Sequence, residues 1–177
     1  MYRGLFGFLR CGEFTILQNF DPITNLCVAD VEIFYSCANL HLKAFKSDPF
    51  RKGVTIQLHI SNHNICPFSA IKKYLAVRRC REAPFSDPLF IKEDGCALDR
   101  EFFITSLKHI LDICGFNSNI YNGHSFSIGA STSAGSVNIQ EHLIKILGRW
   151  SSDSYCRYIR TSKETIQKAQ RALTLST

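Results

Sequence analysis

Two phrases frame the stretch on which the fold turns: Gly123-His124-Ser125-Phe126-Ser127 and Leu147-Gly148-Arg149-Trp150, the latter running on to Tyr155-Cys156-Arg157-Tyr158-Ile159-Arg160. The first follows a polar loop, 117–123, and opens a helix with a His. Small residues then run to Ser136. Apolar spacing predicts a helix over 139–147, ended by Gly148. Ser152 or Asp153 is a cap for a short helix through Tyr158, and Thr161 or Ser162 for a last one to about Leu173. The only Trp stands in a basic setting shortly before Tyr158. Taken singly, each feature has an ordinary reading: a structural His, a core Trp, an amphipathic Tyr.

Working back toward the N-terminus, Asp99 is placed to cap a helix to about Cys114. Its apolar side is Phe102, Phe103, Leu107, Ile110, Leu111 and Cys114. After Pro67 another helix is predicted, with Phe68, Ile71, Leu75 and Val77 near one face. Segments 28–35, 39–45 and 54–60 are strand-like. Val54, Ile56, Leu58 and Ile60 alternate with Thr55, Gln57 and His59, the period of a half-buried strand. Ser47-Asp48-Pro49 marks a tight connection between the second and third strands. Residues 1–15 read as the end of a helix that puts Arg10 beside Glu13, where an ion pair is the simple interpretation. These elements predict an α+β fold, a mostly helical domain with a small three-stranded antiparallel sheet on one side.

The order of the pieces carries more than any one of them. An Arg (Gly7-Phe8-Leu9-Arg10-Cys11-Gly12-Glu13), a Lys in a hairpin turn (Phe45-Lys46-Ser47-Asp48-Pro49), a Gly-His-Ser at a helix start, Gly-Arg-Trp and Tyr-Ile-Arg follow one another. This series resembles the catalytic domain of the tyrosine recombinase (phage integrase) family, from about Gly4 to Ile166. The phrases look most like those of recombinases from eukaryotic mobile elements. The resemblance implies that Arg10 is the first phosphate-binding arginine and Lys46 the general acid for the leaving 5′-oxygen. His124 matches the histidine of the family's His-x-x-Arg motif, and Trp150 the later donor to the phosphate. Tyr158 matches the nucleophile, in preference to nearby Tyr155. It also implies that the five converge on one basic concave surface.

The chemistry of these residue types agrees. Guanidinium forks bind two non-bridging phosphate oxygens in fixed geometry. A Tyr hydroxyl, with a pKa near 10, needs a positive neighbourhood to attack at neutral pH. A covalent intermediate conserves the energy of the broken bond, so no cofactor, ATP or metal is expected. One departure stands out: the second arginine of the family motif is Ser127 here. A hydroxyl has neither charge nor fork, and loss of one transition-state donor typically costs a factor of roughly 10²–10³. Impaired turnover is therefore expected. A catalytically inactive DNA-binding module is the alternative, and an interaction domain or a mobile-element relic is a third reading.

Composition fits these expectations. The chain has 177 residues, 45% hydrophobic and 20% charged, an ordinary globular balance. It is expected to be one domain, 1–177, truncated at its N-terminus and lacking the family's N-terminal DNA-clamping domain. Its formal charge is +6, and the charge is segregated. Lys43, Lys46, Arg51, Lys52, Lys72, Lys73, Arg78, Arg79 and Arg81 face a single acid, Asp48, between His41 and Arg81. A basic face points to a polyanion. Double-stranded DNA is the expected partner, met through Lys43, Lys52, Arg149 and Arg160 besides the catalytic set, with self-association on DNA. No uncharged run is apolar enough for a membrane span, and no signal peptide is recognisable. Eight dispersed cysteines without a CxxC argue for a reducing compartment, so a nuclear or other intracellular location is expected. His59, His63 and Cys66 have a spacing that could contribute to a zinc site, but no partner pair follows.

Overall fold

A computed structural model describes residues 8–45, 48–61, 63–159, 166–167 and 170–171, with backbone alone at 154, 155 and 158. Lys46, Arg160 and most of the last predicted helix lie outside the described residues.

The sheet forms where the alternation predicts it. Strands β1 (Val31–Ile33), β2 (Cys37–Leu42) and β3 (Val54–His59) pair antiparallel in the order β1-β2-β3. The register sets Val31 opposite Leu40, Leu40 opposite Ile56, and Ala38 opposite Leu58. One face is thereby apolar, and Thr55, Gln57 and His59 take the other. The first strand is shorter than its sequence signal, because Val28–Asp30 makes a 3-10 turn before it. Helix α2 (Pro67–Cys80), opened by Pro67 in its first turn, covers the apolar face. Phe68, Ile71 and Leu75 are buried in one cluster with Leu26, Val28, Val31, Ala38, Leu40, Leu42, Leu58 and Leu89. Val77, expected on this face, is instead exposed, and Arg78 is buried. Arg78 ties α2 to the following loop by donating from Nη2 to the Pro88 carbonyl at 3.0 Å and to Asp87 at 3.4 Å.

Helix α3 (Arg100–Ile113) starts at the predicted cap: Asp99 Oδ1 accepts from the Phe102 N–H at 2.7 Å. That bond, reinforced by Lys92, holds the Asp99 carboxyl below the usual carboxylate range. The apolar side of α3 is less buried than its pattern implies. Leu111 alone of its residues is buried, and Phe102 and Ile110 are exposed.

Helices α4 (Ser125–Ser136) and α5 (Glu141–Gly148) and a 3-10 segment, Asp153–Tyr158, form the remaining layer. They surround a second cluster of Phe8, Ala134 and Ile144, with Ala130, Ile139, Trp150 and Ile159 against it. The predicted helix over 1–15 is corrected. Among the described residues it is a single turn, α1 (Cys11–Phe14), and Arg10 is the extended residue before it. The apolar residues that suggested a longer helix divide between two clusters: Phe8 belongs to the second, and Leu9 and Phe14 pack on the first. A chain of rings continues the seam, from Phe14 to Phe103 at 5.0 Å and from Phe103 to Phe126 at 5.6 Å.

Leu75 is 1% exposed at the centre of the first cluster. Leu75→Ala is expected to destabilise the fold by about 2–5 kcal/mol, the range for a buried leucine that leaves a cavity. Urea unfolding followed by circular dichroism measures it.

Candidate active site

The seam between the clusters holds the charged groups. Arg10 donates from Nη2 to the Gly148 carbonyl at 3.2 Å and to the Arg149 carbonyl at 3.5 Å. Its backbone N–H donates to Glu13 Oε2 at 2.8 Å, and its Nη1 lies 3.9 Å from Glu13 Oε1. The simple Arg10–Glu13 interpretation therefore holds but is only part of the arrangement. Glu13 Oε2 also accepts from Arg149 Nη2, and the same Nη2 donates to the Phe8 carbonyl at 3.1 Å. The Arg149 and Glu13 side chains are 7% and 4% exposed; that of Arg10 is 20%. Burial pulls the Arg149 guanidinium below its ordinary value. Glu13 opposes that shift, and nearby Arg10 adds to it.

Local structure explains why Arg149 turns inward. Helix α5 ends at Gly148 as predicted, and the residue after it, Arg149, takes the left-handed conformation, φ 54°. The Trp150 N–H reaches back to Lys145 O at 3.1 Å, and the Arg149 N–H to Ile146 O at 3.0 Å. This is the 6→1, 5→2 pair of a Schellman cap. Gly148 is needed for space instead. A methyl group there would fall inside the Trp150 ring, which covers it. Trp150 also meets Phe8 edge to face, at 6.1 Å and 88°. Its ring thus has the core packing that a lone Trp ordinarily has.

His124 is brought to the same seam by its neighbour. A Cβ on Gly123 would lie 3.1 Å from Cys11 Cβ and 3.2 Å from Arg100 Nη2, so the Gly-His loop lies directly against α1. His124 is exposed immediately before α4, and its N–H donates to Asn122 Oδ1 at 2.9 Å. Ser127 is buried in the first turn of α4, and its carbonyl accepts from Ser131 Oγ at 2.9 Å. Tyr158 closes the 3-10 segment, and the next residue, Ile159, packs where Gly135 leaves room in α4. The Tyr158 side chain, Lys46 and Arg160 lie outside the described residues. The segments bearing Arg10, His124 and Trp150 thus meet at one seam.

The expected DNA contacts divide. Lys43 is a clasp. Its Nζ meets Asp30 Oδ2 at 2.7 Å, the Pro22 carbonyl at 2.7 Å and Cys27 Sγ at 3.3 Å. Burial works against the Lys43 charge, but bonds to Asp30 and Cys27 outweigh it and hold the ammonium above its ordinary value. Lys52 is exposed beside Phe50. With Arg51, His41, Ile23 and Thr24 it lines an open cleft of about 280 Å³. Arg51, Lys72, Lys73, Arg79 and Arg81 are also exposed. His59, His63 and Cys66 form no metal cluster: among the described residues no three His, Cys, Asp or Glu are gathered for one. Cys66 is buried, and bonds from the Ser69 side chain and the Ser61 N–H pull its thiol down to about 6. No described helix is long and apolar enough to cross a membrane.

The arrangement of elements is found again in solved recombinases. XerA recombinase superposes with a TM-score of 0.66 at 15% identity, over 94% of this chain and 52% of that one. The fold is that of a tyrosine-recombinase catalytic domain. XerH site-specific recombinase bound to a palindromic difH substrate, in a post-cleavage complex, gives 0.64 at 18% identity over 90% of this chain and 42% of that one. XerH in a pre-cleavage complex with difH gives 0.59 at 18%, over 90% and 44%. This chain therefore spans about half the length of those proteins or less. No protein-family model matches the sequence, and no curated protein does.

Because Trp150 covers Gly148, Gly148→Ala is expected to expel the ring. Emission from the only Trp should shift to the red and the melting temperature should fall, both read in one fluorescence melt.

Proposed function

We propose that this domain acts on double-stranded DNA as a tyrosine recombinase, cleaving and rejoining a strand through a 3′-phosphotyrosine, with turnover weakened by Ser127. The observation that carries the reading is the seam itself. In a recombinase fold, Arg10 is held by the carbonyls of Gly148 and Arg149 beside the loop that carries His124.

In this reading Arg10 grips the non-bridging oxygens of a phosphodiester, with His124 and Trp150 as further donors. The Tyr158 hydroxyl attacks phosphorus and gives its proton to solvent water as the new P–O bond forms. The bond to the 5′-oxygen breaks, and Lys46 supplies the proton that makes the leaving group a free 5′-hydroxyl. Reversal by another 5′-hydroxyl restores the phosphodiester and frees the tyrosine. One phosphate ester replaces another at each step, so the exchange needs no external energy source. Lys52 and Arg160 hold the backbone of the duplex, and protomers associate on it. The residue phrases at 7–15, 46–53, 123–134 and 147–160 support an origin in a eukaryotic mobile element, and with it work in the nucleus.

Ser127 favours the second reading, a DNA-binding module without turnover. It is buried and small where the family motif has a charged fork.

Duplex binding is expected at micromolar affinity or weaker, with little sequence preference and a steep loss with salt. A fluorescence-anisotropy titration at several salt concentrations measures it. A folded sample that shows no binding at low salt would refute both readings.

Ser127→Arg is expected to raise covalent adduct formation by roughly 10²–10³. The assay traps the adduct on a nicked duplex whose short 5′ fragment diffuses away, and resolves it on a denaturing gel. Ser127→Arg/Tyr158→Phe should form none. Efficient trapping by the unmodified chain would show that Ser127 is tolerated. An adduct lost with Tyr155→Phe instead would reassign the nucleophile.

A further inference from the structure

We infer that Arg149 is a positioning residue: with Glu13 it forms a buried strut that sets Arg10 for the phosphate, and it does not bind DNA itself. This rests on the reading that Arg10 meets a phosphate, and it replaces the expectation that Arg149 is a DNA contact.

Three observations carry it. First, the Arg149 guanidinium is held by the protein's own groups, with Nη2 on the part-buried side. Nη2 is shared by the Phe8 carbonyl and Glu13, and Nη1 donates to the Leu147 carbonyl at 3.2 Å. A phosphate would have to break into this buried set to reach it, whereas Arg10 is markedly more exposed. Second, the strut holds Arg10 at both ends. Glu13 Oε2, the atom that binds Arg149, also binds the Arg10 backbone N–H. The carbonyls of Arg149 and Gly148 both accept from Arg10 Nη2. Third, these carbonyls lie at the C-terminal end of α5, where a cation is favoured. The left-handed turn at Arg149 lets one residue send its side chain to Glu13 and its carbonyl to Arg10. The pair spans 136 residues of sequence, so it also fixes the segment leading into Tyr158 relative to Arg10.

The test is a double-mutant cycle on duplex binding, which does not depend on turnover. Arg10→Met, Arg149→Met and the double variant are titrated with a mixed-sequence duplex across a salt series, with a thermal melt of each to confirm folding. Arg10→Met should weaken binding about tenfold and lower the salt slope by about 1, as expected for one lost phosphate contact. Arg149→Met should do the same, and the double variant should be no worse than either single one. If the double variant instead loses a further factor and its slope falls by about 2, Arg149 is an independent phosphate ligand and the inference is wrong. Folded Arg149→Met that binds like the unmodified chain would also overturn it, because a purely structural pair would not move the slope. Should Arg149→Met fail to fold, Glu13→Gln/Arg149→Met leaves no lone buried charge and is read by the same criteria. Unchanged binding by Arg10→Met would instead remove the phosphate reading of Arg10, and this inference with it. Loss through Arg10 without loss through Arg149 removes this inference alone.

Discussion

A buried ion pair between residues far apart in the chain holds the molecule at its seam. Glu13 comes from the one-turn helix near the start and Arg149 from the cap of α5. Taking both charges out of water is costly. Two carbonyls and a backbone N–H add hydrogen bonds that offset part of this cost, while Glu13 Oε1 is buried without a hydrogen-bond partner among the described residues. Breaking one partner would leave a lone buried charge, at a cost of about 3–5 kcal/mol. The pair also offsets the left-handed backbone of Arg149, which an L-residue adopts at a penalty of about 1–2 kcal/mol. Around it Phe8 goes to one cluster, Leu9 and Phe14 to the other, and Arg10 stands between them.

The basic character of the chain resolves into two kinds of cation. Lys43, Arg78 and Arg149 are tethers: each ties one segment to another and is spent on carboxylates, carbonyls or sulfur. Arg51, Lys52, Lys72, Lys73, Arg79 and Arg81 remain in solvent and supply the field that a polyanion would meet. Net charge does not distinguish the two, since a buried paired cation and an exposed one count alike. The exposed basic face is therefore built from fewer residues than a count of Lys and Arg suggests.

What was legible in the sequence is what depends on near neighbours. The alternation from Val54 to Leu58 places the inward face of β3, Asp99 caps α3 at the expected residue, and Pro67 opens α2. The ordered series of motifs reached the fold; of the five residues it set on one surface, the segments bearing Arg10, His124 and Trp150 meet, and Lys46 and the Tyr158 side chain lie outside the described residues. Misreadings arose where distant chain decides. The apolar run before Thr15 suggested a helix, but its residues separate into two clusters. The α3 pattern promised a buried stripe, yet Phe102 and Ile110 remain outside. The pairing of Arg149 was illegible because its partner, Glu13, lies 136 residues away. The spacing from Arg10 to Glu13 did contain a signal, since an acid three residues after a helix cap can hold the cap's own N–H.

The span of the Glu13–Arg149 pair bears on how the protein is made. A ribosome releases Glu13 long before it polymerises Arg149, and the sheet with α2 can close in between from sequence-local pairings. The seam at Arg10, in contrast, needs residues 136 positions apart. A chain interrupted before Arg149 thus has its first core without the carbonyls and the ion pair that hold Arg10, so it carries the basic surface but no formed seam. Synthesis past Arg149 is in this sense a checkpoint, set by nothing more than the order of residues along the polypeptide.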